Sequence, residues 1–156
     1  VDDIGLDATR YFFVSRALQT PLDFDMDLAR SSSNDNPVFY AQYAHARICS
    51  ILKSSPELEA KDMYTLLDHP KELELMKLLN EFPTVVADAA ATRQVHKVPN
   101  YIHTLAQTFH SFYGAVKVKD DSNPELTTER LHLLDATRIT LANALALIAV
   151  NAPESM

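Results

Sequence analysis

Tyr40, Tyr43 and Arg47 are spaced by three and four residues within NPVFYAQYAHARICSILK, residues 36–53. A tyrosine offers a flat ring and a hydroxyl, and an arginine a planar cation with five donors. On one side of a helix such a set can stack on unpaired bases and hold a phosphate. The same spacing also suits tyrosines that pack against the protein with their hydroxyls in water. The element that must carry the set is signalled at its start, since Asn36 suits an N-cap and Pro37 a first helical position. At about 100° per residue, Tyr40, Tyr43, Ala44, Arg47 and Ile51 fall on one arc. Ala41, His45, Ile48 and Leu52 fall on another, with Val38 and Cys49 at its edge, and form a core face. His45 is expected to be buried and hydrogen-bonded.

Other chemistry finds less support. His96, His103 and His110 are seven apart, but Pro99 breaks the phase between the first two. No Cys or acidic partner at ligand spacing joins His103 and His110. Asp23, Asp25 and Asp27 alternate, yet lack the glycine and final glutamate of a calcium loop. With two glycines in the chain no phosphate-cradling loop can form, and Cys49, the single cysteine, has no base partner in view.

At 156 residues with few glycines, one all-α domain is expected: an antiparallel bundle of about five or six main helices with an N-terminal helical extension. Residues 1–18 read as a helix after a short lead, its Tyr11-Phe12-Phe13-Val14 run wanting partners on more than one side. Thr20-Pro21 breaks it, and Asp25 can cap a short helix. Residues 57–68 are a weak helix or loop anchored by Leu58, Met63, Leu66 and Leu67. Pro70 opens a helix with Leu73, Met76, Leu78 and Leu79 inward and Lys71, Glu72, Glu74 and Lys77 wet. Pro83 opens the next, with Val85, Val86, Ala89 and Ala90 inward, and Pro99 a further one. Residues 117–124 are a polar loop. A last helix, from about Pro124 to Val150, carries Leu131, Leu134, Ile139, Leu141, Leu145 and Ile148 and is buried in its second half. LDATR occurs twice, at 6–10 and 134–138, and each copy suits an Asp–Arg pair one turn apart.

NPVFYAQYAHAR resembles the first bundle helix of the anticodon-binding domain of arginyl-tRNA synthetases. GLDATRYFFVSR with LDFDMDLA is similar to the segment that follows the catalytic core there, and LDATRITLANALALIAV with APESM to the last helix and tail. The resemblance implies a segment 1–33 following the catalytic core and an anticodon-binding bundle at 34–156. It implies contact with the anticodon loop of arginine tRNA by Tyr40, Tyr43 and Arg47, by Tyr113 late in the penultimate helix, and by Met156. The partners it implies are arginine tRNA and the catalytic domain of the parent enzyme, with neither DNA nor membrane. It implies no cofactor for this fragment, whose parent uses ATP with magnesium to attach arginine. HIGH and KMSKS motifs are missing, so no arginine activation is expected of this chain alone. Asp135-Ala136-Thr137-Arg138 departs from the family's D-A-L-R, and PESM from PERM, where Ser155 replaces a positive charge.

The net charge of −7 works against general nucleic-acid binding, so stacking and base-edge contacts must dominate over long-range attraction. An acidic helical protein-interaction module without RNA binding is the alternative. A lone cysteine, no secretory signal and no apolar run of about eighteen residues fit a cytoplasmic protein.

Overall fold

The computed structural model describes residues 4–21, 23–59 and 61–156. They form six helices and no strand: α1 (Leu6–Val14), α2 (Met26–Arg30), α3 (Pro37–Lys53), α4 (Pro70–Thr92), α5 (Lys97–Ala115) and α6 (Pro124–Leu147). The four long helices make the bundle. α4 and α5 pair as a helical hairpin, and α5 and α6 each also pack on α3. Ile48, Ile102, Leu105, Phe109, Phe112, Leu134, Leu141 and Leu145 are fully buried between them.

Most helix starts follow from local chemistry. Asn36 Oδ1 accepts from the Val38 N–H at 3.1 Å, and its amide donates to the Ser31 carbonyl at 2.8 Å, tying the linker to α3. Asn123 accepts from the Leu126 N–H at 3.1 Å ahead of Pro124, and Asp25 from the Leu28 N–H at 2.9 Å. These contacts satisfy amides that a helix start leaves unpaired.

Several element-level expectations are corrected. The first helix covers only Leu6–Val14. Within its apolar run Tyr11 is buried and donates to the Pro99 carbonyl at 3.0 Å, while Phe12 and Phe13 lie against Phe24. Phe13 and Leu18 remain 61% and 92% exposed. Pro83 opens no helix; it sits inside a continuous α4. Its ring is exposed while Leu78, Leu79, Phe82 and Val85 pack on the core, so continuity of that face outweighs the one backbone bond a proline removes. Leu75 is fully buried on α4, whereas Leu73 and Met76 are exposed. Ala90 also faces out, as does Ile139 on α6. Pro99 is not the first residue of α5, which starts at Lys97; a proline within the first turn gives up an amide that has no helical partner anyway.

Glu72, expected in water, is fully buried, with Arg130 Nε at 2.6 Å and the His69 N–H at 3.0 Å. Glu129 is buried likewise. It receives the Lys61 ammonium at 2.5 Å and the amides of Leu66 and Thr65 at 2.8 and 3.2 Å. That carboxylate, rather than helical structure, orders the stretch between α3 and α4. Leu58 and Leu67 pack on the core there, but Met63 is 69% exposed and anchors nothing.

The two LDATR copies differ. Asp135 and Arg138 do pair one turn apart, at 2.8 Å. Arg10 instead donates to the Ala149 carbonyl at 2.7 Å, and Asp7 accepts from Gln42 and Asn151. This copy fastens α1 to α3 and to the segment after α6.

Candidate nucleic-acid interface

α3 and α5 pack side by side, which sets the Tyr40–Tyr43–Arg47 arc of α3 against the last turns of α5. Arg47 lies between two rings. Its Nη1 donates to the Tyr43 hydroxyl at 2.5 Å, and its Cζ stands 4.7 Å from the centre of the Tyr113 ring and 5.7 Å from that of Tyr43. A guanidinium over an aromatic face is attracted to the ring's electron-rich centre. The Tyr113 hydroxyl holds the Arg47 pKa above its ordinary value, so the cation is permanent. Tyr43 lies nearly parallel to Phe39, 6.1 Å away, and to His110, 5.9 Å away. Burial first, and the nearby Arg47 charge second, push the His110 pKa down.

Residues after α6 complete the site. The helix ends with Ala149 at φ 55°, the Val150 N–H reaching the Leu145 carbonyl at 3.0 Å and the Ala149 N–H reaching that of Ala146 at 3.0 Å. This is a Schellman turn, which reverses the chain. The tail then runs along α3. Gln42 donates to the Asn151 carbonyl at 3.0 Å, His45 Nδ1 to that of Pro153 at 2.8 Å, and Lys53 pairs with Glu154 at 2.8 Å. Met156, 58% exposed, thereby forms part of a groove of about 660 Å³ with Tyr43, Arg47, Ser50, Ile51 and Tyr113. The walls combine flat rings, aliphatic surface and a fixed cation, which is the chemistry that receives splayed bases and phosphate. Burial pushes the Cys49 thiol up, which keeps it protonated and unreactive. Among the described residues no cluster of His, Cys, Asp or Glu could hold a metal ion.

The model of the family described as DALR anticodon binding domain matches residues 41–156. The chain belongs to that family. The DALR domain described here is 54% identical over its whole length to an arginine–tRNA ligase of Bacillus pumilus (strain SAFR-032), of which it spans 29%. The arginyl-tRNA synthetase of Thermus thermophilus superposes with a TM-score of 0.85 at 32% identity, over 98% of this chain and 26% of that one. The corresponding enzyme of Plasmodium falciparum gives 0.87 at 25% identity, over 99% and 27%.

In this DALR domain Tyr43, Arg47, Tyr113 and Met156 share the groove. Tyr40 does not line it. Its ring lies against His103 at 5.8 Å and His110 at 4.7 Å, half-buried at the margin, and burial raises its pKa. Ala44, placed by spacing on the tyrosine arc, is fully buried. His45 is buried and hydrogen-bonded, as its position on the core arc implies. Sequence reasoning missed Phe39 and His110 as ring partners of Tyr43. Phe39 lies one turn before Tyr43, and His110 three residues before Tyr113, so helical spacing was the signal available. Among the described residues no helix is long and apolar enough to cross a membrane.

Proposed function

We propose that this chain is the part of an arginine–tRNA ligase that reads the anticodon loop of arginine tRNA. Residues 34–156 are the reading bundle, and residues 1–33 the segment joining it to a catalytic domain elsewhere in the parent. That domain attaches arginine using ATP with magnesium, in the cytoplasm. The observation that carries the reading is the groove in which Tyr43, Arg47, Tyr113 and Met156 meet. Support also comes from the arginine–tRNA ligases among its relatives. Base-on-ring stacking contributes about 1–3 kcal/mol per base, enough for a local contact on a chain of net charge −7. In this reading Tyr43 and Tyr113 offer ring surface, Arg47 its remaining donors, Met156 an apolar edge, and Tyr40 its exposed margin.

Tyr43→Ala and Arg47→Ala are each expected to weaken binding of an arginine anticodon stem-loop by at least about tenfold, the worth of one lost stack. Both should leave the melting temperature within a few degrees. Substitutions that chiefly unfold the chain would make the stripe a packing feature. No binding at low salt, where phosphate attraction is strongest, would return the chain to the acidic interaction-module reading.

A further inference from the structure

On the core arc of α3, His45 is a buried polar group whose partner lies on the tail after α6. Its ring is 3% exposed, yet its Nδ1 donates at 2.8 Å to the carbonyl of Pro153, 108 positions along the chain. Proline has no N–H and a fixed φ, so that carbonyl is the backbone handle at residue 153, and the direction of the chain beyond it is restricted. Three residues extend at most about 10 Å, so fixing Pro153 confines Met156 to that radius. His45 also lies between Tyr43 and Arg47 in sequence, so the tie is made within a turn of the groove. The Lys53–Glu154 pair holds the same tail, but both side chains are more than 60% exposed, where ion pairs contribute little. The Asn151 and Ala149 contacts act earlier, where the chain leaves α6.

We propose that His45 is a positioning residue for the groove: its Nδ1–H latches the Pro153 carbonyl and so holds residues 154–156 against Tyr43, Arg47 and Tyr113. His45 touches no RNA in this scheme, and the inference rests on the anticodon-reading function proposed above. Asparagine places an amide donor near the position of Nδ1, whereas leucine removes the donor at similar bulk. His45→Leu is expected to weaken binding of an arginine anticodon stem-loop by about tenfold, the order of one well-made buried hydrogen bond. His45→Asn should stay within about threefold, since it keeps the donor. In a chain shortened by residues 153–156, His45→Leu should produce no further loss, because the object of the latch is gone.

A readout independent of RNA is the carbon-13 methyl resonance of Met156. In the unaltered chain it should carry the ring-current shift of the groove, and in His45→Leu it should move to the position of a free methionine. The proposal is overturned if His45→Leu and the shortening multiply, if asparagine fails as leucine does, or if the Met156 methyl stays in place in His45→Leu. Should the unaltered chain bind no stem-loop at all, the functional reading falls, and the methyl resonance alone still decides the latch.

Discussion

His110 lies against Tyr40, Tyr43 and Phe109 with Arg47 nearby. Its Nε2, like Nδ1 of His103, is buried without a hydrogen-bond partner among the described residues. Burial and the Arg47 charge both favour the neutral ring, so its folded pKa lies below the ordinary 6.5. Between the two values the unfolded chain binds the proton and the folded chain does not. Stability from this group is therefore present above pH 6.5 and is lost as pH falls through the lowered value. A proton titration of His110 by NMR should show a midpoint below 6.5, with Tyr43 ring resonances moving at the same midpoint. A midpoint at or above 6.5 contradicts the arrangement. Little of this layer was legible in the sequence. Spacing placed Tyr40, Tyr43 and Arg47 together, but Tyr113 and Met156 joined them only by resemblance, because a partner on another helix or on the tail leaves no periodic trace. The histidines read as a weak metal motif, and their ring contacts were invisible.

The helices show where local rules suffice. Asn36-Pro37 and Asn123-Pro124 begin α3 and α6, as cap chemistry requires. Two ends were less legible: α4 and α6 both finish on a left-handed residue that is not glycine, Arg93 and Ala149, each at φ 55°. Glycine is the usual signal for such a turn, and its absence hides them. Pro83 misleads in the other direction. It looks like a helix start and lies mid-helix, where the Leu79 carbonyl loses an amide donor. Proline inside a helix costs about 3 kcal/mol relative to alanine, and about 0.4–1 kcal/mol returns through the stiffer unfolded chain. With the ring exposed and the helix already adjusted, Pro83→Ala should add about 1–2 kcal/mol of stability. The check is a rise in the urea midpoint at unchanged slope, and a fall would mean that α4 needs its proline.

For the molecule as a whole, the bundle was foreseeable from sparse glycine and apolar periodicity, but its buried acids were not. Glu72 reads as a wet-face residue and Glu129 as one more charge on a long helix, because their partners Arg130 and Lys61 lie far away in sequence. Burial alone would raise the Glu129 pKa. The Lys61 ammonium and the amides of Leu66 and Thr65 outweigh it, and the carboxyl titrates below its ordinary 4.5. Its contribution is thus present above about pH 4.5 and is lost as pH falls through the folded value. Glu129→Gln should be less stable than the parent chain at pH 7 and approach it as pH falls through the lowered folded pKa. In the parent chain, amide protection at Thr65 and Leu66 should fade over the same acid range. An undiminished stability gap at pH 3 would show that the carboxylate's charge is not what orders the stretch before α4.

The seating of Arg47 between Tyr43 and Tyr113 has an optical consequence. The chain contains no tryptophan and six tyrosines, so phenol emission is read without an indole background. Two of those fluorophores border the groove, one with its hydroxyl held by the guanidinium and the other with its ring beneath it. A guest that slides between them changes the surroundings of both at once, so the protein carries its own unlabelled reporter of occupancy.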